Sequence, residues 1–274
     1  MTGALARAFL VMVLITFPAL MLPEVGPDTR QVVVLFGLIA AVLTFIEYSA
    51  TYPSLVEFRY APPFNRIRFL SLALTVIALA LIVRGQFAPT TFALLLEALG
   101  ALVGQALDFP YSPVRMVTLM LPEDAAPARV GLIRSLAGMS FMVSAFMLLV
   151  FFVALRLSQW PAGRDSFNVW VNLPTFDPTA GGDVVDRLER DARFNLALGL
   201  LLPFLIPAAV KLASALSMAV PLGGAQTLVW VMAAWGFLPA SLFMRGVAMW
   251  RVARMIREKR ERSLQEHGSR LQTV

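Results

Sequence analysis

Apolar residues in this chain come in long blocks, not at alternate positions. Seven blocks lie at roughly 4–22, 31–52, 67–84, 91–108, 131–157, 195–218 and 226–250. An apolar run of about 18 residues or more fits a helix that crosses a bilayer. The pattern predicts an all-α protein, a polytopic transmembrane helix bundle of about seven spans, with six as the alternative. It forms one helical domain over 1–250. The first block carries only Arg7 ahead of its apolar stretch, and no small-x-small site precedes Pro23. It is expected to be a retained helix, not a cleaved signal peptide.

The polar intervals add two helical features. The linker 158–193 runs through Trp160, Pro161, Trp170, Pro174 and Pro178 to Gly181-Gly182-Asp183. From Asp183, a residue suited to capping free N–H groups, Val184, Val185, Leu188 and Ala192 recur on one face. Charged residues fill the rest, so an interfacial amphipathic helix is expected, with a partner-docking helix as the alternative. After the last block, Arg251, Arg254, Arg257 and Lys259 follow near helical spacing. The stretch 251–274 is expected to be a basic, cytoplasmic helical extension. In the interval 110–129, the apolar piece 114–121 is expected at the membrane interface.

Composition narrows the chemistry. The chain has 274 residues, is 58% hydrophobic, and carries no cysteine and one histidine, His267. No disulfide, thiolate zinc site or cysteine-bound iron–sulfur cluster can form. A bis-histidine haem within the chain is excluded too, and no cofactor is expected. The net charge of +6 fits basic loops facing anionic lipid better than nucleic-acid binding. The expected partners are the bilayer and other membrane proteins, with no nucleic acid. The arginine bias, with lysine only at 211 and 259, suggests a high-GC bacterial source and hence a bacterial inner membrane.

Charge also raises a topological conflict. Seven spans with a cytoplasmic tail leave Arg59, Arg66, Arg115 and Arg129 outside, against the positive-inside rule. Demoting 91–108, the weakest block, gives six spans with both ends inside and eases part of this. That block nevertheless places Glu97, Gly100, Gly104, Gln105 and Asp108 at three- and four-residue spacing on one helix face. Gly100 and Gly104 form a GxxxG pair that permits close helix approach.

Ionisable groups inside a span are costly unless paired or wetted. The intramembrane polar candidates are Glu47, Glu97, Gln105, Asp108 and Lys211. Seven spans would bring Glu47, Asp108 and Lys211 towards one membrane side, where Lys211 could pair with either acid. Pro203, Pro207 and Pro239 are expected to kink the last two spans. Phosphate-binding loops, dinucleotide fingerprints, metal-spaced histidines and nucleophile elbows do not occur in the sequence. No catalytic and no metal-binding residue is expected. The sequence favours a non-catalytic accessory subunit or assembly factor of a membrane complex. The alternatives are a small-solute or ion transporter using Glu47, Glu97 and Lys211, and a membrane enzyme acting on lipid. The stretch 47–68, EYSATYPSLVEFRYAPPFNRIR, is unusually specific for a linker.

Overall fold

A computed structural model describes residues 1–158, 160, 168–177, 179, 181–216 and 224–272. Pro161 and Pro178 lie outside the described residues, as do the side chains of Trp170 and His267. The chain is all-helical. Its helices are α1 (Thr2–Met21), α2 (Pro27–Ser49), α3 (Phe64–Gly85), α4 (Thr91–Ala106), α5 (Pro113–Thr118), α6 (Pro127–Leu157), α7 (Val169–Asn172), α8 (Val184–Ala215) and α9 (Ala225–Gln272).

Local chemistry sets the helix starts. α2 and α6 begin on Pro27 and Pro127, whose missing N–H would be unpaired there in any case. Thr90, Ser112 and Asp183 cap α4, α5 and α8 by accepting from the N–H groups of Ala93, Arg115 and Val185.

Among the described residues six helices are long and apolar enough to cross a membrane, and this is an integral membrane protein of multi-pass type. The exception is α4. Its 16 residues rise about 24 Å, short of a hydrocarbon core of about 30 Å. Chain direction confirms the difference. Phe64, at the start of α3, stacks on Phe151 near the end of α6. The last turns of α3 share a core with Ile133 and Leu136, near the start of α6. The two helices are therefore antiparallel, and the segment 86–126 leaves and rejoins the bundle at one end. The fourth block does not carry the chain across: α4 follows the distal end of α3 and ends at Asp108, which pairs with Arg134 in the first turns of α6.

Six crossings bring both termini to the same end, called proximal here. One core packs the distal half: Leu14, Leu79, Ile82, Leu136, Met232 and Trp235. A second packs the proximal half around Phe58, Phe64, Phe151, Leu188, Met249 and Val252. Val114 and Val117 of α5 are fully buried in the distal core, so this piece lies inside the protein and not along the interface.

The amphipathic stretch after Asp183 is continuous with the sixth apolar helix, giving one α8 of 32 residues. Its apolar face, Val185, Leu188 and Ala192, is covered by α9. It is thus one half of a helix pair, not a separate helix laid flat on the bilayer. α9 runs for 48 residues, about 72 Å, more than twice the core thickness. Arg257 pairs with Glu189, and Arg260 pairs with Asp183 at 2.6 Å, strapping the extension to α8.

Candidate functional site

The segment between α2 and α3 is a built structure. Glu47, at the end of α2, is not an isolated intramembrane acid. Its carboxylate accepts from the N–H groups of Ser54, Leu55 and Val56 at 2.9–3.2 Å, and from the Ser54 hydroxyl. These donors belong to a loop that folds back over the helix end. Arg59, itself buried, donates to the Glu47 carbonyl oxygen and to the Tyr60 hydroxyl. Phe58 takes a left-handed backbone, φ 52°, and buries its ring between Phe64 and Trp160.

Asn172, in the short α7, ties this loop to the far linker. Its carbonyl accepts from the Phe58 N–H at 2.6 Å, and its side-chain oxygen accepts from the Tyr60 N–H at 3.1 Å. Thr175 donates its hydroxyl to Glu57 at 2.7 Å. Two segments more than a hundred residues apart therefore close over the same place.

That place is a charged cleft of about 670 Å³ between the α1–α2 hairpin, α3 and α9. Glu57 holds Arg245 through two bonds of 2.6 and 2.7 Å. Burial by itself would raise the Glu57 carboxyl, but the bonds from Arg245 and Thr175 outweigh it and hold the group below the usual carboxylate range. Arg68 stands beside the pair. Its Nε donates to Ser241 at 2.9 Å, and its guanidinium lies 5.2 Å over the Phe64 ring. Among the described residues Arg68 makes no ion pair. Two guanidiniums thus stand near one carboxylate, which binds only Arg245.

The other predicted polar residues lie elsewhere. Asp108 is at the distal end, where it binds Arg115 at 3.1 Å and Arg134 at 2.7 Å. Lys211 is also distal, exposed, and nearest the Leu121 carbonyl at 3.5 Å. It pairs with neither Glu47 nor Asp108. The expected alignment of the three depended on a fourth crossing that the chain does not make. Glu97 accepts from Gln86 at 3.0 Å, and Gln105 is exposed. Gly100 and Gly104 do face a helix, α6, where their backbone meets Ser135, Gly138 and Arg134 without room for a Cβ.

Pro203 and Pro239 border a second cavity, about 310 Å³ and almost wholly apolar, between α6, α8 and α9. Pro207 cannot donate to the Pro203 carbonyl four residues back. The Trp235 indole N–H fills that place at 3.0 Å. This bond satisfies the broken turn and joins α8 to α9.

Sequence reasoning missed Glu57, Arg68 and Arg245. One signal was present: Arg245 is an ionisable residue inside the last apolar block, as Arg134 is inside the fifth. No protein-family model matches this chain, and no curated protein or solved structure matches it.

Proposed function

We propose that this chain is a non-catalytic subunit of a bacterial inner-membrane assembly, docking its partner on a basic helical platform in the cytoplasm. The observation that carries the reading is the α8–α9 pair. α9 continues unbroken beyond any bilayer thickness, and ion pairs bind it to the first turns of α8. A single solvated helix would fray, whereas a strapped pair presents a fixed surface.

Charge supports the orientation. The distal end holds six basic residues, Arg30, Arg84, Arg115, Arg129, Arg134 and Lys211. It also holds six acidic ones, Glu24, Asp28, Glu97, Asp108, Glu123 and Asp124. Only six of the 23 Lys and Arg residues of the chain are distal, and the described ones that remain lie toward the proximal half. The positive-inside rule then favours a cytoplasmic proximal end that holds both termini; this brings Arg59 and Arg66 inside, while Arg115 and Arg129 stay at the distal, exterior end among as many acidic residues.

Site-specific photocrosslinking tests the reading. A photoreactive residue at Arg254, which is exposed on the extension, should give one adduct of fixed mass in native membranes. The same residue at Leu38, exposed on the apolar α2, should give a diffuse pattern. Indistinguishable patterns at the two positions overturn the proposal. The transporter alternative rests on the charged cleft. Against it, the cleft and the distal groups Asp108 and Lys211 lie at opposite ends, with the apolar core of Val76, Leu79 and Ile82 between. Solute flux through reconstituted protein would reverse this preference.

A further inference from the structure

We infer that the cleft around Arg68 is a binding site for an anionic amphiphile, its charged head on Arg68 and Arg245 and its tail along the apolar wall. The inference is independent of the platform at α8 and α9.

Charge is the first observation. Glu57 is committed on both oxygens, to Arg245 and to Thr175. Among the described residues Arg68 bonds only the Ser241 hydroxyl, through its Nε, and the ionised groups beside it are Glu57 and Arg245. Asp191 reaches Arg245 only through space, from α8. Arg7 adds a further cation, 4.7 Å from the ring of Tyr48, which lines the cleft. A half-buried guanidinium with unused donors is costly in a medium of low dielectric. An anion with two or more oxygens matches its planar donor fork.

Depth is the second observation. Arg245 stands 20 residues after Ala225, so it lies about 30 Å along α9 from the distal end. That is about one hydrocarbon thickness, which places the charges at the headgroup boundary of the proximal leaflet. Arg68 agrees, being about one turn inside the start of α3.

Shape is the third. Below the charges the wall is Val11, Phe69, Leu72 and Phe237, an apolar surface suited to an acyl chain. A small inorganic anion would use the arginines and leave that wall empty. An amphiphile uses both. Tyr48 supplies a hydroxyl on the same lining for the polar part of a headgroup.

The test is native mass spectrometry of the full-length protein, delipidated in mild detergent and titrated with phosphatidylglycerol, phosphatidylcholine or inorganic phosphate. The wild type should retain the anionic lipid in preference to the zwitterionic one. Arg68→Gln should lower that retention roughly tenfold, the scale of one charge-assisted contact. Leu72→Trp, which fills the apolar wall and spares every charge, should lower it similarly. It decides the matter alone if Arg68→Gln does not fold. Arg254→Gln, on the exposed extension, should keep retention unchanged. Equal retention of both lipids, or unchanged retention in the two cleft variants, overturns the proposal. Equal loss in Arg254→Gln does so too, by showing diffuse surface attraction. Displacement of the lipid by an equal concentration of phosphate overturns the amphiphile in favour of a free anion.

Discussion

Two clusters in this molecule have the same parts and different arrangements. At the distal end one carboxylate, Asp108, lies between Arg115 and Arg134 and binds both. At the proximal end one carboxylate, Glu57, lies among Arg245 and Arg68 and binds only the first. The distal cluster sits where α4 meets α6 with glycine against glycine and no intervening space. The proximal one borders a cleft of about 670 Å³. Arg115 is half exposed, so water satisfies its remaining donors. Arg68 is more enclosed and faces the cleft. The distal group works as a clamp in which both guanidiniums reach the carboxylate. In the proximal one a guanidinium stays off the carboxylate, and the fold holds open the space next to it.

Removing the acid from each cluster separates them most sharply. Glu57→Gln leaves two enclosed guanidiniums without a counter-charge, and breaking such a pair costs about 3 kcal/mol. Thermal unfolding in zwitterionic bicelles should show a large drop in melting temperature. Anionic lipid should restore part of it by supplying the missing charge. Asp108→Asn should cost less, because Arg115 can turn to solvent, and anionic lipid should not restore it. Equal rescue of both variants would erase the distinction.

Next in size is the glycine contact that keeps the distal cluster closed. A Cβ on Gly138 would overlap the Gly100 carbonyl oxygen and the Gly104 backbone, none of which can rotate away. Gly138→Ala should destabilise by roughly 1–3 kcal/mol as α4 is pushed from α6. Gly131→Ala, where a Cβ meets open space inside α6, is the control and should be neutral or stabilising by up to about 1 kcal/mol. The readout is again the melting temperature, with hydrogen exchange in α4 as the local probe.

Much of this architecture is legible in hydropathy, because a span must present a long apolar surface to lipid. The polar geometry is less so. A window average conceals a single arginine within a span, and Arg134 and Arg245 are hidden in that way. The partner of Arg245 is 188 residues away, in a segment whose fold depends on Glu47 capping it and Asn172 pinning it. Glu47 and Lys211 stand out in the sequence as ionisable residues within apolar blocks. Yet Glu47 is at a helix end and Lys211 is exposed, and neither joins the cleft. The stretch 47–68 reads as too specific for a linker, and the reason is that most of its polar side chains, Glu47, Ser54, Glu57, Arg59, Asn65 and Arg68 among them, close a bond within the fold.

Acid should sharpen the comparison further. Glu57 is held below the ordinary carboxylate range in the folded protein, so its ionisation favours the native state. This contribution is complete above the unfolded value and is lost as pH falls through the lower, folded one. The melting temperature should therefore be steady near neutral pH and fall below about pH 4. Glu57→Gln should flatten that acid limb. An unchanged limb would mean that Glu57 does not carry this stability.

The smallest effect belongs to Asp183, which tests whether the α8–α9 strap resembles either cluster. Its carboxylate accepts from the Val185 N–H at 2.6 Å and pairs with Arg260 at 2.6 Å. The Arg260 bond and the cap hold its pKa below the usual aspartate value. Both partners are nonetheless open to water, where salt screens the pair and side-chain entropy opposes it. Asp183→Asn retains the cap and removes the charge, so the global melting temperature should be unchanged within error. Asp183→Ala removes both, and should speed amide exchange only in the first turn of α8. If either variant loosened the whole proximal half, the strap would be a third structural clamp. A local effect leaves it as a solvated tie whose place is fixed by the apolar face beneath, Val185, Leu188 and Ala192 against α9.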